Sequence, residues 1–211
     1  EKAYGTLKEA LEAATAYTLV RVLPGTYDKG EMTGANDSTP CRAIVPGKAR
    51  LVAVGSPEET IIKGARSTDA SCDALGNGPG GVRCVRLSAN STMRGFTLTD
   101  GHVARTSLVS DDNGAQGGGV SASTQGTIIS DCIITNNAAV CGVLDNHATR
   151  NDGVAFYGSA NLYGCIIDGN ATGSNQNSYY SSAAGIEIRN CTFGPDETVN
   201  ISVTQETEGQ R

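Results

Sequence analysis

DCIITNN, residues 131–137, returns as GCIIDGN at 164–170 and, more loosely, as NCTFGPD at 190–196. Each copy sets one cysteine in a short apolar run that ends in Asn, Gly or Asp. The spacings are 33 residues from Cys132 to Cys165 and 26 from Cys165 to Cys191. Phe96, in RGFTLTDG, holds the equivalent place 36 residues before Cys132. A second series, Val120, Val154 and Ile186, recurs at 34 and 32 residues. Each unit therefore reads as a G-V/I-x-x strand, a small polar turn, a second strand around the Cys or Phe, and an Asn/Gly/Asp turn. An irregular period near 30 built from short strands is the signature of a solenoid.

Stacked coils pair their strands in parallel about 4.8 Å apart, so equivalent side chains form ladders. Phe96, Cys132, Cys165 and Cys191 then make one inward ladder, with the thiols serving as small buried hydrophobes. In-register side chains at that spacing have poor torsion for a disulfide. A nucleophilic thiol would need a base beside it, and no histidine lies in these strands. Cys72 and Cys84, which flank the glycine-rich DALGNGPGG, are better placed to pair, whereas Cys41 and Cys141 stay unassigned. The seven cysteines include no C-x-x-C, and with two histidines a structural zinc site is not indicated.

Composition agrees with a narrow coil. The 211 residues include 27 glycines, 3 phenylalanines and no tryptophan. One domain over 1–211 is expected, with coils over about 17–203. The net charge of −6 gives no electrostatic reason to expect nucleic acid or an anionic membrane as partner. No apolar run reaches the 18 residues of a membrane span. The chain opens on a helix-like pattern, as expected of a processed start. YGTLKEALEAATAY offers Thr6 as N-cap and Glu9 as N3, a capping box for a helix over about 6–14. VRVLPGTY reads as a strand into a turn, and 28–40 as a loop. RAIVPGKARLVAVGSPEETIIKGA and GVRCVRLSANSTMRGFTLTDG add two sets of about three strands. The polar tail after Phe193 lacks a cap, as expected where a chain continues or its end is covered.

TLKEALEAA, VRVLPGTY, MRGFTLTDGH, QGGGVSA and ISDCIITNNAA together resemble the pectin-lyase-like right-handed parallel β-helix proteins, including bacterial secreted and surface proteins with polymorphic-outer-membrane-protein-like repeats. The resemblance extends from about Tyr4 to Phe193. It implies an all-β, single-stranded right-handed parallel β-helix with an N-terminal capping helix, in an extracellular or cell-surface protein. It also implies polysaccharide or a surface glycan as partner, lying along an outer groove, with lyase or glycoside hydrolase chemistry where there is catalysis. The family's catalytic signatures are not recognisable. Asp111-Asp112 follows DGHV, but no G-H-G or R-I-K comes after it, and DFIFG and GRPW are absent.

TDGHVARTSLVSDDNGAQGGG and VLDNHATRNDG are the longest interruptions after residue 95. If both leave one corner of the coil, His102, Asp111, Asp112, Asp145, His147, Arg150 and Asp152 form one patch. Candidate catalytic residues are accordingly Asp111, Asp112, Asp145, His102 and Arg150, since carboxylates beside a histidine suit acid/base work. Asp111, Asp112 and Asp152 are candidate calcium ligands, the oxygen donors a hard cation prefers. Asp, Asn and Gly also serve any turn, which is the plainer reading. Tyr157, Tyr179 and Tyr180 are candidate sugar-stacking residues, the last two in the polar loop NQNSYYSS. The competing expectation is a non-enzymatic adhesin or structural solenoid.

Overall fold

Alternating apolar residues and turn formers at this period close into a three-sided coil. The computed structural model describes residues 2–34, 37–104, 117–139, 153–170, 177–181, 187–195 and 199–201. One side, face 1, stacks β3 (Cys41–Val45), β6 (Arg83–Leu87), the first half of β9 (Val120–Ser130), the first half of β11 (Gly153–Tyr163), β13 (Asn177–Ser181) and β16 (Val199–Ile201). Face 2 stacks β1 (Leu19–Val22), β4 (Arg50–Ala53), β7 (Thr92–Arg94), the second halves of β9 and β11, and β14 (Ile188–Arg189). Face 3 stacks β2 (Gly25–Tyr27), β5 (Thr60–Lys63), β8 (Thr97–Thr99), β10 (Ile133–Thr135), β12 (Ile166–Asp168) and β15 (Thr192–Phe193). All of these pairings are parallel, and the chain visits faces 1, 2 and 3 in that order on each coil, so the protein is a parallel β-helix.

Register turns the sequence repeat into columns. On face 3, Tyr27, Ile62, Leu98, Ile134, Ile167 and Phe193 stand one above another. On face 2 the column is Val20, Leu51, Met93, Ile129, Leu162 and Ile188. Val20, Leu51, Met93, Ile129 and Leu162, with Ile62, Leu98, Ile134 and Ile167, are buried in one core. Each such side chain contributes about 1.5–3 kcal/mol by leaving water.

The step from face 2 to face 3 explains the repeated cysteine. Gly95, Asp131, Gly164 and Asn190 each have φ between 51° and 83°. Only glycine, or Asn and Asp with their short polar side chains, takes this left-handed conformation routinely. The next residue on each coil enters the interior. Phe96, Cys132 and Cys165 are buried, and Cys191 at the last coil is half-buried. The expected ladder is thus formed, and its lowest rung is Thr60, fully buried. A second left-handed column, Asp100, Asn136 and Gly169, ends face 3 on successive coils.

Several expectations need correction. Cys72 and Cys84 are both free. Cys84 is the second residue of β6, buried inside the coil with its Sγ 3.1 Å from the Thr99 carbonyl oxygen, while Cys72 sits in the segment between β5 and β6. Val120 aligns with Phe156 and not with Val154. β9 carries three extra residues at its bend, so the register shifts between Gly158 and Ala160. No polar turn divides β9 or β11; each runs continuously around the corner, bending near Gly126 and Gly158, both at positive φ. NQNSYYSS is not a loop: Asn177–Ser181 is the strand β13. Ile186 lies outside the described residues.

The cap is a short helix, α1 (Leu7–Glu12). The Thr6 hydroxyl accepts the Glu9 N–H at 3.1 Å, the N-cap half of the expected box. Leu7 and Leu11 are buried in the core beneath it. The helix ends at Ala13, earlier than the sequence periodicity suggests.

Candidate functional site

Where the coil turns from face 3 to face 1, the connections are long. They cover 28–40, 64–82, 100–119, 136–152 and 169–176, and only the last, 194–198, is short. The other two corners mostly take a few residues, as at Gly95–Phe96 or Asp131–Cys132. Asp111 and Asp112, and Asp145, Arg150 and Asp152, belong to segments whose flanking strands meet at this corner on consecutive coils. Those five residues, with His147, lie outside the described residues.

A cavity of about 580 Å³ opens at this corner. Its wall combines Asp28, Lys63, Asp100 and Asn136 from the ends of face 3 strands with Arg66, Ala74 and Leu75 from segment 64–82, and His102. The Lys63 ammonium lies 3.0 Å from the Asp100 carboxylate, and the Asn136 amide also donates to Asp100. Arg66 donates to the Ala74 carbonyl at 3.3 Å. Its guanidinium rests on Gly76, where an added Cβ would come within 2.3 Å of Nε, so the glycine makes room for the arginine. Segment 64–82 is itself anchored. Asp73 accepts the backbone and side-chain N–H of Asn77, Asn77 Oδ1 accepts the Val103 N–H, and the His102 N–H reaches the Val82 carbonyl.

His102 is the one sequence-predicted catalytic residue that the structure describes, and it lies in this wall. It is 8 % exposed, and its Nδ1 has no hydrogen-bond partner. Burial, and then the nearby Arg66 charge, push its pKa below the usual histidine value. The imidazole is neutral at pH 7 and can both donate and accept a proton or a hydrogen bond.

The asparagines behind the cavity form a buried ladder that sequence reading treated only as turn residues. Asn137 Oδ1 accepts the Gly101 N–H at 2.8 Å, and Nδ2 donates to the Leu98 carbonyl and to Asn170. Asn170 repeats the pattern on Ile134 one coil later. The signal was present as NNA and GNA at one position of the repeat.

A second polar cluster fastens segment 28–40 to face 1. Asp37 Oδ2 lies 2.7 Å from Arg83 Nη1 and 3.1 Å from Arg86 Nη1, with the Asp37 and Arg83 side chains fully buried. Arg83 Nε also donates to the Gly117 carbonyl. Two arginines three apart in the apolar run VRCVRL were the available signal. Arg86 shares a register column with Ile44, Ser121, Tyr157 and Tyr180, and Tyr179 aligns with Phe156. Tyr157 and Tyr180 are therefore stacked positions on one face, in line with Arg86.

The buried thiols of Cys41, Cys84, Cys132 and Cys165 are held in the protonated, non-nucleophilic form. Burial pushes Cys84 and Cys132 up to about 12 and raises Cys41 and Cys165 as well. Among the described residues no cluster of three or more His, Cys, Asp or Glu is arranged to hold a metal ion. No described helix is long and apolar enough to cross a membrane.

No family model and no curated protein sequence matches the chain. Among solved structures, it is similar to the crystal structure of a mutant pectin methylesterase in complex with a hexasaccharide, with a TM-score of 0.53 and 14% identity. The match covers 92% of this chain and 52% of that one, so the chain spans about half the length of the structure it resembles. The likeness establishes the fold: a right-handed parallel β-helix.

Proposed function

We propose that this β-helix is a secreted or cell-surface protein that binds polysaccharide at the corner between faces 3 and 1. The carrying observation is the convergence there of the polar cavity and of all the long connections, on a scaffold whose other two corners are mostly tight turns. A rigid framework with its variable segments gathered on one side is how solenoids and barrels build binding sites. The structural neighbour, solved with a hexasaccharide, supports a sugar ligand for this architecture. Binding is the primary activity in this reading. Depolymerisation would add Asp111, Asp112 and Asp145 as the acid/base groups, with calcium at Asp111, Asp112 and Asp152.

Affinity electrophoresis through gels containing a range of soluble polysaccharides tests the proposal. Retardation by at least one polymer, lost in Arg66→Ala, is expected. Unretarded migration in every gel would leave a structural solenoid as the better reading. A parallel cleavage panel, with calcium and with chelator, reads reducing ends and unsaturated products. Cleavage that disappears in Asp111→Ala or Asp145→Ala would extend the proposal from binding to catalysis.

A further inference from the structure

We infer that the sugar held in the corner cavity is uncharged, an inference that rests on the corner being a polysaccharide site. Among the described residues the wall carries two cations, Lys63 and Arg66, and two carboxylates, Asp28 and Asp100. Lys63 is already matched by Asp100 at 3.0 Å. Asp73 adds negative potential at His102, and the whole chain carries −6. A polyanion would meet no net positive field here, and acidic polymers depend on such a field for capture.

His102 sharpens the argument. The residue is more than nine-tenths buried, and its Nδ1 has no partner. The Nδ1 atom is itself shut off from the cavity, so a ligand meets only the edge of His102 that lines the wall. A hydroxyl both donates and accepts, and so suits either tautomer of a neutral imidazole. A carboxylate only accepts, so it suits the single tautomer whose N–H faces it and is held strongly only by the imidazolium. Burial and Arg66 both oppose that form, with Asp100 and Asp73 pulling the other way more weakly. Leu75, Ala65 and Ala74 supply apolar wall for the C–H faces of a sugar ring. The mixture of both charge signs, a neutral imidazole and small apolar patches matches a polyhydroxylated, uncharged ligand.

Isothermal titration calorimetry of the intact chain tests this. The probes are neutral oligosaccharides from galactan, arabinan, xylan and β-glucan, set against oligogalacturonate, each at low and high salt. One neutral series is expected to bind with an affinity that salt leaves unchanged, and to weaken roughly tenfold or more in His102→Ala. Asp28→Asn gives an independent reading, because Asp28 is exposed and its loss tips the wall to net positive. Salt-sensitive oligogalacturonate binding is expected to appear in that variant and to be absent from the wild type. Wild-type binding of oligogalacturonate alone, weakening with salt, would overturn this inference and leave the polysaccharide proposal standing. Heat-silent titrations with every probe would overturn both.

Discussion

The side-chain amide of Asn137 donates to the side-chain oxygen of Asn170, 3.0 Å away on the next coil. The same Asn170 oxygen also accepts the Asn137 backbone N–H at 3.1 Å. Two buried residues 33 positions apart thus complete the hydrogen bonding of a corner that no regular strand pairing reaches. The cavity lies directly outside this corner, so the ladder fixes the floor of the site.

Asn137→Ala is expected to leave the Gly101 N–H, the Leu98 carbonyl and the Asn170 oxygen short of partners. The cost is on the order of 1–3 kcal/mol for each group that water cannot reach. Asn137→Asp keeps the acceptor and loses both donations. Urea denaturation of the two variants checks this; a midpoint equal to wild type in Asn137→Ala would show that the ladder is dispensable.

Asp37 neutralises two arginines, one of them with no exposed side-chain surface. Asp37→Ala removes an ion-pair partner from the fully buried Arg83, and breaking such a pair from one side costs roughly 3–5 kcal/mol. Segment 28–40 should then become the first site of limited proteolysis. A double variant, Asp37→Ala with Arg83→Met, is expected to recover much of the loss, which a thermal melt would reveal.

His102 makes stability fall in mild acid. Its folded pKa is depressed, so the unfolded chain binds the proton more readily. The contribution is complete above the ordinary histidine value near pH 6.5 and declines as pH drops from there toward the lowered folded value. Chemical denaturation across that window should show a shallower slope in His102→Gln. An unchanged slope would mean that the imidazole is not held neutral by the fold.

All six described cysteines are free. Reductant should therefore not alter the melting temperature of the monomer. Alkylation of the native protein followed by peptide mapping is expected to label the partly exposed Cys72 while sparing Cys41, Cys84, Cys132 and Cys165. Rapid native labelling of Cys132 or Cys165 would contradict an interior ladder.

The ladder of Phe96, Cys132, Cys165 and Cys191 was readable from sequence because one left-handed residue and one buried residue must recur wherever the coil turns sharply. Backbone geometry imposes that pattern locally, so it survives in the letters. The Val120 register failed for the opposite reason. β9 and β11 bend around a corner with different numbers of residues, and side-chain alternation does not record a bulge. That the two long segments share a corner stayed a condition in the sequence, because the faces of the coil are defined only by strand pairing. Lys63, Arg66 and Asp37 could not be found in the sequence either. Lys63 and Asp37 take their roles from Asp100 and Arg83 on the next coil, and Arg66 from Ala74 farther along its own connection, so no local pattern marks them.

The fixed turns at Gly95, Asp131, Gly164 and Asn190 divide the molecule into a constant spine and a single adaptable margin. Adding or removing a whole coil, for instance the residues between Cys132 and Cys165, shifts everything above it by one increment of about 4.8 Å and leaves each ladder continuous. Lengthening one of the connections leaves the spine untouched and alters only the margin. Reach and recognition are therefore separate variables in this architecture: the number of coils sets how far the binding edge extends, and the segments along that edge set what it holds.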